Sequence, residues 1–196
     1  MSNRGDRTLP QQYPQPYPTD DPSVTAETTL GTPAPTWLQF VRAGAAVRRF
    51  HAVHTLQTET VGHHSHGVAM LCYTLAEGTP SADLLMAALV HDLAEQIYGD
   101  IPAPTKRALN ISAACAQLED SALEDRGLQF DLTLDERRIL KLADLLDAMG
   151  FCVRERQLGN QLMTPIYARY RSYFAATAHS TDAEAHSICK ELHLHW

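Results

Sequence analysis

From Trp37 onward, apolar side chains recur three and four residues apart, and alternation at every second residue is nearly absent. This period constrains the fold most: a 3.6-residue repeat turns one face of each segment towards a core, whereas a strand needs a period of two. The chain is therefore expected to be all-α. Turn and capping residues divide it. Residues 37–49 (WLQFVRAGAAVRR) read as a first helix, followed by a linker around 51–58. A second helix covers about 59–77 and ends near Gly78. Thr79 as N-cap, with Pro80 in the first turn, opens a third over about 80–98. The prolines of GDIPAPT mark a loop. A fourth helix runs over about 105–126 to Gly127, and Thr133 with Glu136 forms a capping box for a fifth over about 134–157. Two more are expected near 161–177 and 182–192, for a bundle of about six to seven helices.

Residues 1–35 differ from all of this. The stretch TLPQQYPQPYPTDDPSVTAETTLGTPAPT holds most of the chain's prolines, and its composition cannot bury enough apolar surface to offset its conformational entropy. A disordered or extended tail over 1–35 and one domain over 36–196 are expected. The net charge of −7, from 16 basic and 23 acidic side chains, argues against a protein that coats a nucleic-acid polymer. A small phosphorylated ligand needs only two or three well-placed cations and stays open. Cys72, Cys115, Cys152 and Cys189 stand singly among apolar neighbours, as free thiols in a reducing compartment do. With no run of about 18 apolar residues and no signal-peptide core, neither a membrane nor export is expected, and the location is cytoplasmic.

The residues with chemical potential begin at LVHDLAEQIYGDIPAPTK, residues 89–106. On a helix, His91, Asp92 and Glu95 can converge on one face. The preceding LLMAALV is apolar on nearly every side, so an adjacent His and Asp at its end are costly unless they bind something. A metal ion suits imidazole with carboxylate; a buried His–Asp pair capping the helix is the alternative. Upstream, VGHHSHGVAM offers three imidazoles. His64 lies four before Val68 and eight before Cys72 and so faces inward, while His63 and His66 fall towards a flank. Downstream, in ERRILKLADLLDAMGF, Asp144 sits among Ile139, Leu140, Leu142, Leu145 and Leu146, with Asp147 as the competing choice one turn later. His64, His91, Asp92 and Asp144 together make a set of two imidazoles and two carboxylates drawn from three helices. Such a set leaves positions open for water and substrate.

The order H…HD…D, with TVxxHSxxVA before HDLAE, then GDxPxPxK and a late AD, resembles the HD-domain metal-dependent phosphohydrolases. Among these it is most similar to the bacterial 5′-deoxynucleotidases and the small phage-type dATP triphosphohydrolases, over roughly residues 45–175. The resemblance implies that His64, His91, Asp92 and Asp144 hold a divalent metal ion, with Zn, Co, Mn or Fe suited to the ligands and Mg also admissible. It implies Glu95 as the catalytic acid or base and Asp100 as a second active-site carboxylate. Arg49 and Phe50 match an Arg-aromatic pair that grips phosphate and stacks on the base; Pro104 and Lys106 match further substrate contacts. The implied activity is cleavage of the 5′-phosphate ester of a 2′-deoxynucleotide, a monophosphate or a triphosphate, in a protein for which a homo-oligomer is also consistent. One departure is specific to this chain: His63 stands where relatives often carry a glutamate. A helical module that senses nucleotides without catalysis, and a hydrolase of a signalling nucleotide, are the competing readings.

Overall fold

The computed structural model describes residues 37–194, with side chains to residue 192; the tail expected over 1–35 lies outside the described residues. Among the described residues nine α-helices follow in order: α1 Trp37–Ala45, α2 Val61–Leu75, α3 Ala82–Val90, α4 Glu95–Tyr98, α5 Ala103–Ala108, α6 Ser112–Glu124, α7 Leu134–Gln157, α8 Thr164–Thr177 and α9 Ala183–Leu194. Among the described residues there is no strand ladder; the isolated bridge is Arg48 with Thr60. The all-α expectation holds. No helix among the described residues is long and apolar enough to cross a membrane.

The 24-residue α7 is the axis, and the Thr133–Glu136 capping box starts it where the sequence places it. On one side its Leu142, Leu145, Leu146, Met149 and Phe151 pack against Tyr167 and Phe174 of α8 and Ala185 of α9. Towards the other side, Ala143 meets Val68 and Cys72 of α2 and Leu84 and Ala88 of α3. Each fully buried Leu, Phe or Met contributes about 1.5–3 kcal/mol. A third cluster joins Phe40, Val61, Val90, Leu93 and Leu123. There α1 comes so close that a Cβ on Gly44 would lie 2.8 Å from the Leu93 carbonyl oxygen, a fit only glycine allows.

The structure corrects several helix boundaries, including the start of the third helix, where Ser81 rather than Thr79 is the N-cap and accepts from Leu84 N at 3.0 Å. The first helix ends at Ala45 rather than near 49, because the chain turns extended to pair with the α2 entrance: Arg49 N donates to Glu59 O at 2.9 Å and Val61 N to Val47 O at 2.9 Å. Phe50 then takes left-handed backbone (φ 55°), a strain of about 1–3 kcal/mol that its stacking on Phe151 helps offset, with centroids 4.8 Å apart. The third helix stops at Val90 instead of running to 98. His91 Nδ1 bonds the Ala88 carbonyl at 2.9 Å, the acceptor that the amide of residue 92 would use in a continuing α-helix. The backbone continues with tighter i→i−3 bonds, Leu93 N to Val90 O and Glu95 N to Asp92 O, before the short α4. The proline loop and fourth helix are also redistributed. Pro104 sits in the first turn of α5, where a missing N–H costs nothing, and Asn110 at φ 55° separates α5 from α6.

Candidate functional site

Thr60 caps α2 by accepting from His63 N, and this sets the phase of the helix. His64 is thereby turned inward, 1% exposed, while His63 and His66 face solvent. His64 Nδ1 contacts Asp147 Oδ2 at 2.7 Å. Its Nε2 lies 3.2 Å from Asp144 Oδ1 and 3.7 Å from Asp92 Oδ2. The break after α3 delivers the other half. With its Nδ1–H donated to Ala88 O, His91 presents Nε2 towards Asp92 Oδ1, 3.4 Å away, and its ring centroid is 5.3 Å from that of His64.

One ligand atom from each of His64, His91 and Asp92 falls within 4.8 Å of the others, and Asp144 joins this group through its approach to His64. Whether these residues fit a metal ion is answered by the imidazoles. Both Nε2 atoms are buried without an aligned hydrogen bond, although the nitrogen of His64 lies near two carboxylates. Orphaned buried nitrogens facing clustered carboxylates are costly unless something is bound between them. The donor set of two imidazoles and two carboxylates suits a divalent transition metal, and the residues fit.

Without a metal, a proton on His64 takes the same place between the carboxylates. Burial alone would lower the His64 pKa, but Asp144 and Asp147 override it and push it up to about 9. Burial would raise Asp144 and Asp92; the cations around them hold both below the usual carboxylate range. For Asp144 these are chiefly His64 and Lys141, whose Nζ is 2.7 Å from Asp144 Oδ2; for Asp92 they are His91, Arg49 and His64. The cluster therefore holds its carboxylates ionised.

Arg49 enters from the bridged segment and pairs with Asp92, its guanidinium largely buried. Glu95, at the start of α4, is buried with one unpartnered carboxylate oxygen. Burial, then Asp92 and Asp100, push its pKa up to about 8 against the opposing charge of Arg49. Asp100 lies at the loop's edge, with Oδ2 3.5 Å from His51 Nδ1. Phe50 rests against Phe151 and meets Tyr170 edge-on at 6.3 Å. Lys106 is held by Glu119 at 2.8 Å, and Pro104 is exposed.

Three further residues belong to this neighbourhood. Lys141 stands one turn before Asp144 and covers its outer oxygen, a pairing that the i,i+3 spacing signals. Asp147, weighed above as a rival ligand, sits behind the His64 ring instead. Tyr170 of α8 has no sequence signal. Burial raises its pKa, with Arg49 opposing and Asp144 and Asp100 adding to the rise, so its phenol feels the charges of the site.

Comparison with known proteins gives this arrangement a context. A family model described as 5′-deoxynucleotidase YfbR-like matches residues 36–129. A dATP triphosphohydrolase of Salmonella phage PMBT28 is 30% identical over 163 residues, 74% of this chain and 82% of that protein. Among solved structures, an HD-domain phosphohydrolase from Listeria innocua superposes with a TM-score of 0.58 at 23% identity, covering 70% of this chain and 77% of that one. The HD phosphohydrolase of cyanophage S-2L, bound to dA and one catalytic Zn²⁺ ion, superposes with a TM-score of 0.53 at 18% identity, covering 79% of this chain and 92% of that one. At these identities the two structures speak for the helical fold, while the family match and the phage relative carry the kinship, so the chain belongs to the YfbR-like 5′-deoxynucleotidase family.

Proposed function

We propose that the protein hydrolyses the 5′-phosphate ester of 2′-deoxynucleotides in a divalent-metal-dependent reaction. It would release deoxynucleoside with phosphate from a monophosphate, or with triphosphate from a dNTP such as dATP. The observation that carries this reading is the meeting of the two unpartnered imidazole Nε2 atoms with Asp92, beside Arg49 and a buried Glu95. His64, His91, Asp92 and Asp144 would hold the metal. Bound there, a divalent ion supplies Lewis acidity to a phosphate oxygen and lowers the pKa of water.

The chain's own residues account for the rest. Arg49 exchanges its bond to Asp92 for one to the substrate phosphate and neutralises charge as the ester bond breaks. Glu95, with its pKa pushed up to about 8, carries a proton at neutral pH and can donate it to the leaving 5′-oxygen. Water adds its oxygen to the α-phosphorus and gives up a proton that restores Glu95, the bond from phosphorus to the 5′-oxygen breaks, and the nucleoside leaves as the neutral alcohol carrying the proton that Glu95 donated. Asp100 takes the sugar side. Phe50, fixed by Phe151, and Pro104 flank the base, and Lys106 reaches the phosphates by leaving Glu119. The catalytic unit in this reading is residues 36–196, working in the cytoplasm on free nucleotides rather than a nucleic-acid polymer, as the net charge of −7 favours. A homo-oligomer is compatible with it.

The test is to incubate chelator-stripped protein, reloaded with Zn²⁺, Co²⁺ or Mn²⁺, with each dNMP, each dNTP and the matching ribonucleotides, and to separate the products. Deoxynucleoside released only with metal supports the reading, and phosphate against triphosphate assigns the substrate length. No nucleoside from any of them refutes it.

A further inference from the structure

We infer that Asp147 is a positioning residue for the metal ligand His64, and that residue 67 is glycine because the Asp147 carboxylate occupies the space of its side chain. The inference rests on the metal reading above and adds two residues that the ligand set does not contain. Asp147 projects from α7 into the α2–α7 contact with its side chain 12% exposed, and its Oδ2 lies 2.7 Å from His64 Nδ1. Its other oxygen is wedged against α2. A Cβ built on Gly67, one turn beyond His64, would stand 2.0 Å from Asp147 Oδ1 and 2.8 Å from its Cγ. No side chain fits there while the carboxylate stays.

The chemistry follows from imidazole. A carboxylate at Nδ1 makes that nitrogen the donor, so Nε2 is the nitrogen left to present a lone pair. It also fixes the ring plane, so that Nε2 points at Asp92 and Asp144. The two nitrogens lie on opposite sides of the ring, so the carboxylate that grips Nδ1 stands behind the cluster gathered at Nε2. This geometry resolves the choice between Asp144 and Asp147 as ligand. Beside Asp147 lies the buried Glu59, whose Oε2 is 3.8 Å from Arg154 Nη2; it is Asp147 that bonds the His64 ring.

The experiment measures the dissociation constant of Co²⁺ by chelator competition, together with the visible spectrum of the bound ion and the far-UV circular dichroism of the metal-free protein. It is run on wild type, Asp144→Ala, Asp147→Ala, Asp147→Asn, Gly67→Ala and the Gly67→Ala/Asp147→Ala double variant. Asp147→Ala should weaken binding about 10–100-fold with the helical spectrum retained. Asp147→Asn, whose amide oxygen still accepts from Nδ1–H, should recover part of the loss. Gly67→Ala should weaken binding similarly, yet add nothing in the Asp147→Ala background, where the methyl enters vacated space. Wild-type affinity in Asp147→Ala would overturn the inference alone. A site emptied as fully as by Asp144→Ala would make Asp147 a ligand, and additive losses in the double variant would overturn the role given to Gly67. A wild type that binds no metal would overturn the metal reading and this inference with it.

Discussion

Raising the pH of the metal-free protein from 6.5 to 9 should lower its stability while strengthening its grip on a metal ion, and both effects trace to one imidazole. The pKa of His64 rises from 6.5 to about 9 on folding: burial opposes the charged ring, and Asp144 and Asp147 more than compensate. A group whose pKa is higher in the folded state stabilises that state while protonated. Its contribution is complete below pH 6.5 and is lost as pH climbs through about 9. At 1.36 kcal/mol per pH unit, the shift is worth about 3 kcal/mol, and with His64 1% exposed there is little solvent to screen it. Metal binding runs the other way, because His64, in the proposed role of ligand, binds as the neutral ring. Each pH unit below about 9 should weaken apparent affinity about tenfold, or about 100-fold between pH 8 and pH 6. The assays are urea melts of stripped protein across this range and calorimetric metal titrations in two buffers of different ionisation enthalpy, which count the proton released. Glu95, raised to about 8, loses stability in the same direction as pH rises, so the melts are best made in Glu95→Gln to isolate His64. Stability that holds or rises towards pH 9 in that variant, or binding that releases no proton near pH 7, would refute the reasoning.

Glu95→Gln should lower kcat about 10²–10⁴-fold while leaving metal content intact, which product assays and metal analysis on the same sample would establish. Arg49→Lys keeps a charge but loses the planar fork, of which Asp92 now holds Nη1; kcat/KM should fall about 10–100-fold, as for a phosphate grip reduced to a point charge. Glu155 is fully buried and accepts from Leu56 N at 2.8 Å, Gln57 N at 2.7 Å and Asn160 Nδ2 at 2.7 Å, pinning the 51–58 linker to the end of α7. Glu155→Gln should cost about 2–3 kcal/mol in a denaturant melt. Since these partners hold its carboxyl below the usual range against the pull of burial, wild type should lose that contribution as pH falls below about 4.5, and the variant should not.

What the sequence makes legible is what depends on local pattern. The α7 boundaries follow from Thr133 and Glu136 because a capping box is a contact three residues long. His64 separates from His63 and His66 because the apolar stripe of α2 reports facing directly. The features that escape are those made by distant partners or by a side chain standing in for backbone. The break after Val90 depends on the His91 ring taking the carbonyl that the helix would otherwise use, and periodicity contains no trace of that. Arg49 leaves the first helix because residues 47–49 pair with 59–61, a contact without a local signature. Asp147 and Asp144 are equivalent in an apolar stretch of sequence, and the α2–α7 packing with Gly67 distinguishes them. Tyr170, placed by the packing of α8 on α7, could not have been singled out from its own neighbours.

The central claim is that water attacks the α-phosphorus of a deoxynucleotide held beside His64, His91, Asp92 and Asp144 and expels the 5′-oxygen of the nucleoside. It is tested most directly by running the reaction of the metal-loaded protein in ¹⁸O-water and locating the label by mass spectrometry. One labelled oxygen on the released phosphate or triphosphate, with none on the 5′-hydroxyl of the nucleoside, is the result predicted. Label on the nucleoside, or release of a nucleoside monophosphate with pyrophosphate, would contradict it.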